Sequence, residues 1–498
     1  MASATDLYIQ NFAANEATCC PITGWMHDNP EDVKIAQFAA LFFGALALVT
    51  LPITFSASVT LGVFMIAAGA LSLLASLASW VFLNYVTCAH NDMSVHVFTE
   101  GECEAGRLYY RGDVPVLELK GDTPEKNGWA HGFLLGKEIN ELYDNMELAL
   151  HTILQQPQAS ALPKTLAAMR NKIPHTYQLE LNGLAHGFNA WAEKNNAERR
   201  LTSDDFLLIH LLPDSKHFQP YEHEINPNLN YCIFPAFTDA ACTTILHKDE
   251  RDEVVFARNM DWCPFGQAGA KSLVIVWKTT FSWNGDTRLD TQIAALTLPG
   301  MVGVISGWNQ QKLCLAMNVC PGTTQKVRGM PAVFLNRVLL ESAPEVQKVN
   351  EQLLNNFFLQ PLGPYHVTLA SSDGAAECIS YYQGEEGSHL IRKMPDEKPL
   401  FTVNWCYPEC EGGYFNSQER TELLGRYFEG ATREIPEEEL EKQKLIRQAL
   451  RIRPYVNSFI TMHSLLFLPQ SDSVELSWDN GYAASQPAAQ LSLTEVFN

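Results

Sequence analysis

Asp239-Ala240-Ala241-Cys242-Thr243-Thr244-Ile245, followed after a short polar stretch by Phe256-Ala257-Arg258-Asn259-Met260-Asp261-Trp262, decides the reading of this chain. Thr243–His247 and Val254–Met260 are two short apolar runs separated by charged residues, the pattern of two strands joined by a tight hairpin. Cys242 and the Arg258–Asp261 turn then lie on neighbouring strands. Arg258 and Asp261 bracket the end of a hydrophobic strand, where charge is costly to bury unless it has partners or work to do. A thiol, a guanidinium and a carboxylate are therefore expected in one pocket.

Downstream the texture remains strand-rich. Strands are expected at Ser272–Thr279, Gln292–Leu298, Val302–Gly307 and Leu313–Asn318, then helices at Pro331–Ser342 and Pro344–Phe357. Strands return at His366–Ser371, Glu377–Tyr382, His389–Lys393 and Leu400–Asn404, and helices at Ser417–Glu429 and Pro436–Arg451. Ser458–Phe467 and Ser473–Trp478 close the chain as a hairpin. This order predicts an α+β fold, two sheets sandwiched between helical layers.

Upstream, a polar, proline-containing linker covers 213–230. Two helices are expected near 127–153 and 163–195, with Gly128, Gly132, Gly183 and Gly187 permitting close contact between them. A short β pattern precedes them near 103–120. Between Lys34 and His90 lie 55 residues without a charge or a histidine. One span needs about 20 helical residues, so the run predicts a transmembrane helical hairpin within 35–86. Its helices fall near 35–54 and 60–83, turning around Pro52 and Ser56-Ala57-Ser58, with both flanks on one side of the membrane. The run starts too late and is too long for a signal peptide; a buried helical hairpin in a soluble fold is the alternative. Residues 1–34 form a polar N-terminal segment.

Lys and Arg number 35 and Asp and Glu 56, so the formal charge is 35 − 56 = −21. That balance argues against nucleic acid as a partner and against electrostatic docking on anionic lipid. The 12 cysteines are irregularly spaced and read mainly as small buried hydrophobes. Zinc ligation by Cys406 and Cys410 lacks a second pair, and no cofactor, nucleotide or other metal motif is found.

The Cys242-Thr243-Thr244 and Arg258-Asn259-Met260-Asp261 motifs resemble those of cysteine N-terminal-nucleophile (Ntn) hydrolases, the choloylglycine hydrolase, acid ceramidase and penicillin acyltransferase group. The separation of 16 residues between Cys242 and Arg258 is that of bile-salt hydrolases. Further similar segments follow in order: Ser306 to Asn318, with Gln310 and Lys312 replacing the family's Glu and Gly; Pro331 to Leu340; Thr402-Val403-Asn404; Asn416 to Arg420; and Thr461-Met462-His463-Ser464 through Asn480-Gly481. The resemblance covers about residues 125–490.

It implies a four-layer αββα sandwich and self-cleavage between Ala241 and Cys242. Residues 91–241 become a mainly helical pro-segment (the α-subunit) and 242–498 the catalytic domain (the β-subunit), the two fragments staying associated. A freed N-terminal cysteine carries its own base, an α-amine of reference pKa near 8, which takes the thiol proton and later protonates the leaving amine. Arg258 and Asp261 then orient amine and thiolate, Asn318 and Asn404 serve the oxyanion or substrate, and Arg420 braces the site. Trp262, Phe265, Trp308 and Trp405 are candidates to line an acyl pocket, with core packing the alternative for each. His131, His186 and His366 read as polar core or surface residues.

Three functions are compatible with this set: an amidohydrolase acting on a linear amide, an acyltransferase that passes the acyl group to an amine, and a catalytically dead membrane binding or scaffold protein on the same fold. The intact Cys242, Arg258 and Asp261 disfavour the last. A hairpin in the bilayer points to a lipid-like N-acyl amide as substrate.

Overall fold

The computed structural model describes residues 96–144, 162–211, 213, 241–262, 268–283, 287–320, 329–355, 359–381, 389–396, 398–405, 417–435, 441–453, 455–458 and 460–498. The uncharged run, the 213–230 linker apart from residue 213, and Phe265, Cys406, Cys410 and Asn416 lie outside the described residues. Among the described residues no helix is long and apolar enough to cross a membrane.

Strands β1 (Gly101–Cys103), β2 (Gly106–Arg111) and β3 (Val114–Leu119) open the fold as an antiparallel meander. Helix α1 (Pro124–Leu134) starts at a Thr123 cap whose hydroxyl accepts the Lys126 N–H, with Pro124 where no N–H is needed. The helix breaks at Leu135, and helical residues resume over 136–144. Then come α2 (Leu162–Arg170), α3 (His175–Lys194) and α4 (Ser203–Leu211). The single helix expected over 163–195 is two, because Pro174 stands between them at φ −49°, ψ 138°. Proline offers no N–H and bars the residue before it from helical conformation.

The expected hairpin is β4 (Ala241–Lys248) and β5 (Val254–Asp261), in register from Ala241↔Asp261 to Lys248↔Val254. After it come β6 (Leu273–Trp277), the small pair β7 (Thr280–Phe281) and β8 (Arg288–Leu289), then β9 (Ile293–Thr297), β10 (Ser306–Asn309) and β11 (Cys314–Val319). Helices α5 (Ala332–Ser342) and α6 (Val346–Asn355) precede β12 (Tyr365–Ala370), β13 (Ala376–Tyr381), β14 (His389–Lys393) and β15 (Leu400–Thr402). Helices α7 (Ser417–Glu434) and α8 (Lys442–Leu450) lead to β16 (Thr461–Leu468), β17 (Ser473–Trp478) and β18 (Ala489–Ser492).

Of the strand expected over Val302–Gly307, only Ser306–Gly307 is strand. The main chain before it is spent on neighbours instead. Val302 N–H donates to His210, Val302 C=O accepts from Arg337, and Val304 N–H donates to Val333 C=O.

Ten strands form one sheet in the order β1-β2-β3-β6-β9-β10-β11-β12-β13-β14, and six form a second in the order β15-β4-β5-β16-β17-β18. Strand alternation sorts the apolar residues into three cores. Val276, Trp308 and Ala316 of the large sheet meet Phe256, Phe467 and Leu476 of the small one between the sheets. Ile275, Leu315 and Val367 on the outer face of the large sheet pack with α3, α4 and α5. Ile245, Val255 and Ala257 on the outer face of the small sheet pack with α7 and α8. The layers are helix, sheet, sheet, helix.

The described residues belong to one compact unit, and the large sheet runs across the 241–242 boundary. β3, from before Cys242, pairs in parallel with β6, from after it. On the same side, α1 and α3 cross on their glycines. A Cβ at Gly128 would stand 1.9 Å from Glu180 O, and one at Gly183 would stand 2.0 Å from Glu125 O. His131 and His210 are buried against this layer and accept N–H groups of Gly300 and Val302. Burial holds both imidazoles neutral, at about 3 and about 4 respectively. His366 bridges Ser380 and the Trp405 carbonyl, and His186 is exposed.

Candidate active site

The ends of five elements converge on Cys242: the start of β4, the ends of β5 and β11, the segment just after β15, and the first turn of α7. The hairpin register decides which side chains meet. Directly paired residues of an antiparallel ladder share a face. Cys242↔Met260 and Thr244↔Arg258 therefore put the thiol and the guanidinium on the face between the sheets. Ala241↔Asp261 and Thr243↔Asn259 put Asp261 on the helix-covered face.

Arg258 is buried and bridges the two sheets. Its Nη2 donates to Cys242 Sγ at 3.2 Å and to the Met317 carbonyl of β11 at 2.8 Å, while Nη1 donates to His463 Nε2 at 3.1 Å. No carboxylate oxygen is among its hydrogen-bond acceptors. Burial pushes the Cys242 thiol up and the Arg258 charge pulls it back down, with the net displacement upward. Burial also lowers Arg258, and proximity to Cys242 opposes that.

Asn404 and Arg420 hold the main chain of Cys242. The Cys242 N–H donates to Asn404 Oδ1 at 2.6 Å, and Asn404 Nδ2 donates to the Val319 carbonyl at 2.8 Å. Arg420 Nη1 donates to the Cys242 carbonyl at 2.6 Å and to Thr243 Oγ1 at 3.0 Å. Its Nη2 donates to Asn404 Oδ1 at 2.9 Å and to Ser417 Oγ at 3.1 Å, which ties the helix start to the site. Two donors on one oxygen fix the orientation of the Asn404 amide. Asn318 Nδ2 donates to the Thr402 carbonyl at 2.9 Å and reaches the Cys242 carbonyl at 3.4 Å.

Asp261 accepts from Thr461 Oγ1 at 2.5 Å, and its second oxygen is buried without a partner. Burial raises its carboxyl to about 6, against the pull of Arg420, Thr461 and Arg258. The main chain of Asp261 also reaches the thiol.

The six residues expected from sequence are thus gathered, with Asn318, Asn404 and Arg420 touching the main chain of Cys242 itself. The aromatic candidates are scattered. Trp308 stands in the core between the sheets, its indole N–H donated to the Leu493 carbonyl at 2.9 Å. Trp262 is buried in the core under the large sheet and Trp405 is half-buried beside His366 and Cys320. Thr461 and His463 were not assigned to the site from sequence. The signal was present in Thr461, His463 and Ser464, polar residues in the first half of a strand that ends in Leu465-Leu466-Phe467-Leu468.

No protein-family model matches the chain and no curated protein does. Among solved structures it is similar to a Caenorhabditis elegans N-acylethanolamine-hydrolyzing acid amidase ortholog, at 13% identity and TM-score 0.34 over 50% of this chain and 99% of that one. It is similar to penicillin V acylase from Agrobacterium tumefaciens at 15% identity and TM-score 0.34, over 51% of this chain and 87% of that one. It is similar to conjugated bile acid hydrolase from Clostridium perfringens at 11% identity and TM-score 0.35, over 51% and 93%.

Proposed function

We propose that this chain is a membrane-anchored, self-processing cysteine Ntn amidohydrolase that cuts itself between Ala241 and Cys242 and then hydrolyses a lipid-like N-acyl amide. The observation that carries the reading is Cys242 itself: its thiol lies 3.2 Å from a buried guanidinium that touches no carboxylate, and its main-chain N–H is held by Asn404.

Self-cleavage follows as an acyl shift. The Cys242 sulfur adds to the Ala241 carbonyl, the C–N bond breaks, and the nitrogen leaves with a proton. Water then opens the thioester, giving an Ala241 carboxylate and a Cys242 α-amine. In the uncut chain the thiol is raised by burial and has no amine beside it. Cleavage creates a base of ordinary pKa near 8 next to the sulfur. That amine takes the thiol proton, and the thiolate is stabilised by Arg258. The sulfur attacks the substrate carbonyl and the amine protonates the leaving nitrogen. Water resolves the acyl-enzyme.

The uncharged run Ile35–Ala89 supports a bilayer anchor and hence an acyl amide drawn from lipid. Intact-mass and N-terminal sequencing of purified protein is expected to give fragments of 241 and 257 residues, the second beginning at Cys242, with Cys242→Ala a single uncut chain. Active protein with an unbroken Ala241–Cys242 bond would overturn the mechanism. In a series of N-acyl amides, each buried CH2 contributes about 0.8 kcal/mol, so kcat/KM is expected to climb steeply with chain length. A flat series removes the lipid substrate, and transfer to added amine rather than water makes the enzyme an acyltransferase.

A further inference from the structure

We propose that His463 is a positioning residue for the nucleophile: a neutral acceptor that fixes the Arg258 fork so that the Cys242 thiolate is the anion the fork touches. The proposal rests on Cys242 being the nucleophile.

The fork's contacts carry the argument. Arg258 has a Met317 carbonyl, a His463 nitrogen and the Cys242 sulfur as acceptors, and its Nε has none. While the sulfur is a thiol, all three are uncharged. A buried cation in that setting lacks a touching counter-ion, which is unfavourable, and deprotonation of Cys242 supplies one. A carboxylate at position 463 would neutralise Arg258 beforehand and remove that bias. An apolar residue would leave Nη1 without an acceptor and the fork free to turn. A neutral imidazole avoids both.

Strand β16 is shaped to deliver it. Thr461 pairs with Asp261 and His463 with Met260, so Met462 is an extra residue in the ladder, a β-bulge. Residues two apart on a regular strand point to the same face. Here the bulge sends Thr461 to Asp261 on the helix-covered face and His463 to Arg258 between the sheets. One strand thereby serves both charged residues flanking Cys242.

The protonation state agrees. Burial and the Arg258 charge hold the imidazole well below its usual range. Because Nε2 accepts from Arg258, the ring proton is on Nδ1, which is buried without a partner. Apolar packing at this position would avoid that cost. Ser306 Oγ lies 3.5 Å from the same Nε2. The charged groups bearing on the thiol are Arg258 and Asp261 from β5 and Arg420 from α7, and the variants below leave all three in place.

The test is the pH profile of Cys242 alkylation by iodoacetamide, read on the Cys242 peptide by mass spectrometry. It uses full-length wild type, His463→Gln, His463→Phe and His463→Asp, with Tm measured on each. The midpoint reports thiolate stability and the high-pH plateau reports access. His463→Gln, whose amide oxygen still accepts, is expected to keep the wild-type rate within about twofold, while His463→Phe and His463→Asp react about tenfold more slowly at pH 7 through a midpoint raised by about one unit. Unchanged midpoints in the Phe and Asp variants, or a Gln variant that shifts as far as Phe, overturn the proposal. Alkylation needs neither substrate nor cleavage. A shift in protein that hydrolyses no amide therefore refutes the proposed activity and keeps the role of His463; hydrolysis without the shift does the reverse.

Discussion

At the scale of single residues the site is a set of buried charges whose costs are arranged around one sulfur. Asp261 shows this in a measurable way. Its carboxyl stands at about 6 in the fold against an ordinary 3.8. The folded state therefore binds the proton more tightly than the unfolded chain. The contribution of Asp261 to stability is greatest below the unfolded value, declines as pH rises through the folded value, and is constant above it. An interval of about two units corresponds to on the order of 2–3 kcal/mol. Asp261→Asn is neutral throughout and keeps an oxygen for Thr461. With both chains held uncut by Cys242→Ala, the stability of the Asn variant relative to its parent is expected to grow between pH 4 and pH 6.5 and then level off. Parallel urea-denaturation profiles across that range would show that the carboxyl is not raised. Cys242, Arg258 and Asp261 were legible in sequence because two adjacent strands carry them. His463 stood out only as a polar residue opening a strand; its pairing with Arg258 was not legible, since 205 residues separate the two and the bulge that aims it leaves no local signature. For Trp308 the sequence left pocket and core equally open; strand alternation turns it into the core.

At the scale of elements, α1 and α3 cross in main-chain contact. Four glycines make it, each set against the main chain of the opposite helix: Gly128 at Glu180, Gly132 at Leu184, Gly183 at Glu125 and Gly187 at Trp129. Glycine in a helix costs about 1 kcal/mol relative to alanine, so alanine at an open helical position is stabilising. Gly425 on α7 is such a position, with nothing near its added Cβ. Gly183→Ala is expected to destabilise by about 1–3 kcal/mol through overpacking, whereas Gly425→Ala is expected to stabilise by about 1 kcal/mol. Equal thermal shifts for the two would show that the crossing is not limited by these glycines. The glycines were readable in sequence as close-contact positions. The break at Pro174 was readable from the proline and was not read; the loss of a strand over 302–305 was not readable, because it depends on which partners the main chain finds.

At the scale of the whole molecule, the cut expected at Ala241–Cys242 would divide the chain without dividing the fold. Strands β1 to β3 form the edge of the ten-stranded sheet, and β3 is joined to β6 by a parallel ladder from Val116↔Val274 to Leu119↔Trp277. Behind that ladder Arg337 of α5 lies 2.8 Å from Glu180 of α3 and 2.8 Å from Glu341, all three buried. Trp277 also donates its indole N–H to Glu180 at 2.7 Å. Glu180 comes from before the cut, and Arg337, Glu341 and Trp277 from after it. Separating the fragments would expose the apolar core shared by α1, α3, α4, α5 and the sheet, and would strip partners from buried charges. The processed fragments are therefore expected to co-migrate in size exclusion under native conditions and to part only with global unfolding in denaturant. Glu180→Ala should loosen them, because removing one member of a buried ion pair costs about 3–5 kcal/mol. Glu180→Gln retains an oxygen for Trp277 and should lie between the two. If cleaved protein resolves into separate fragments without denaturant, the shared sheet is not what holds it together. If Glu180→Ala leaves the unfolding midpoint unchanged, the buried pair contributes nothing across the cut.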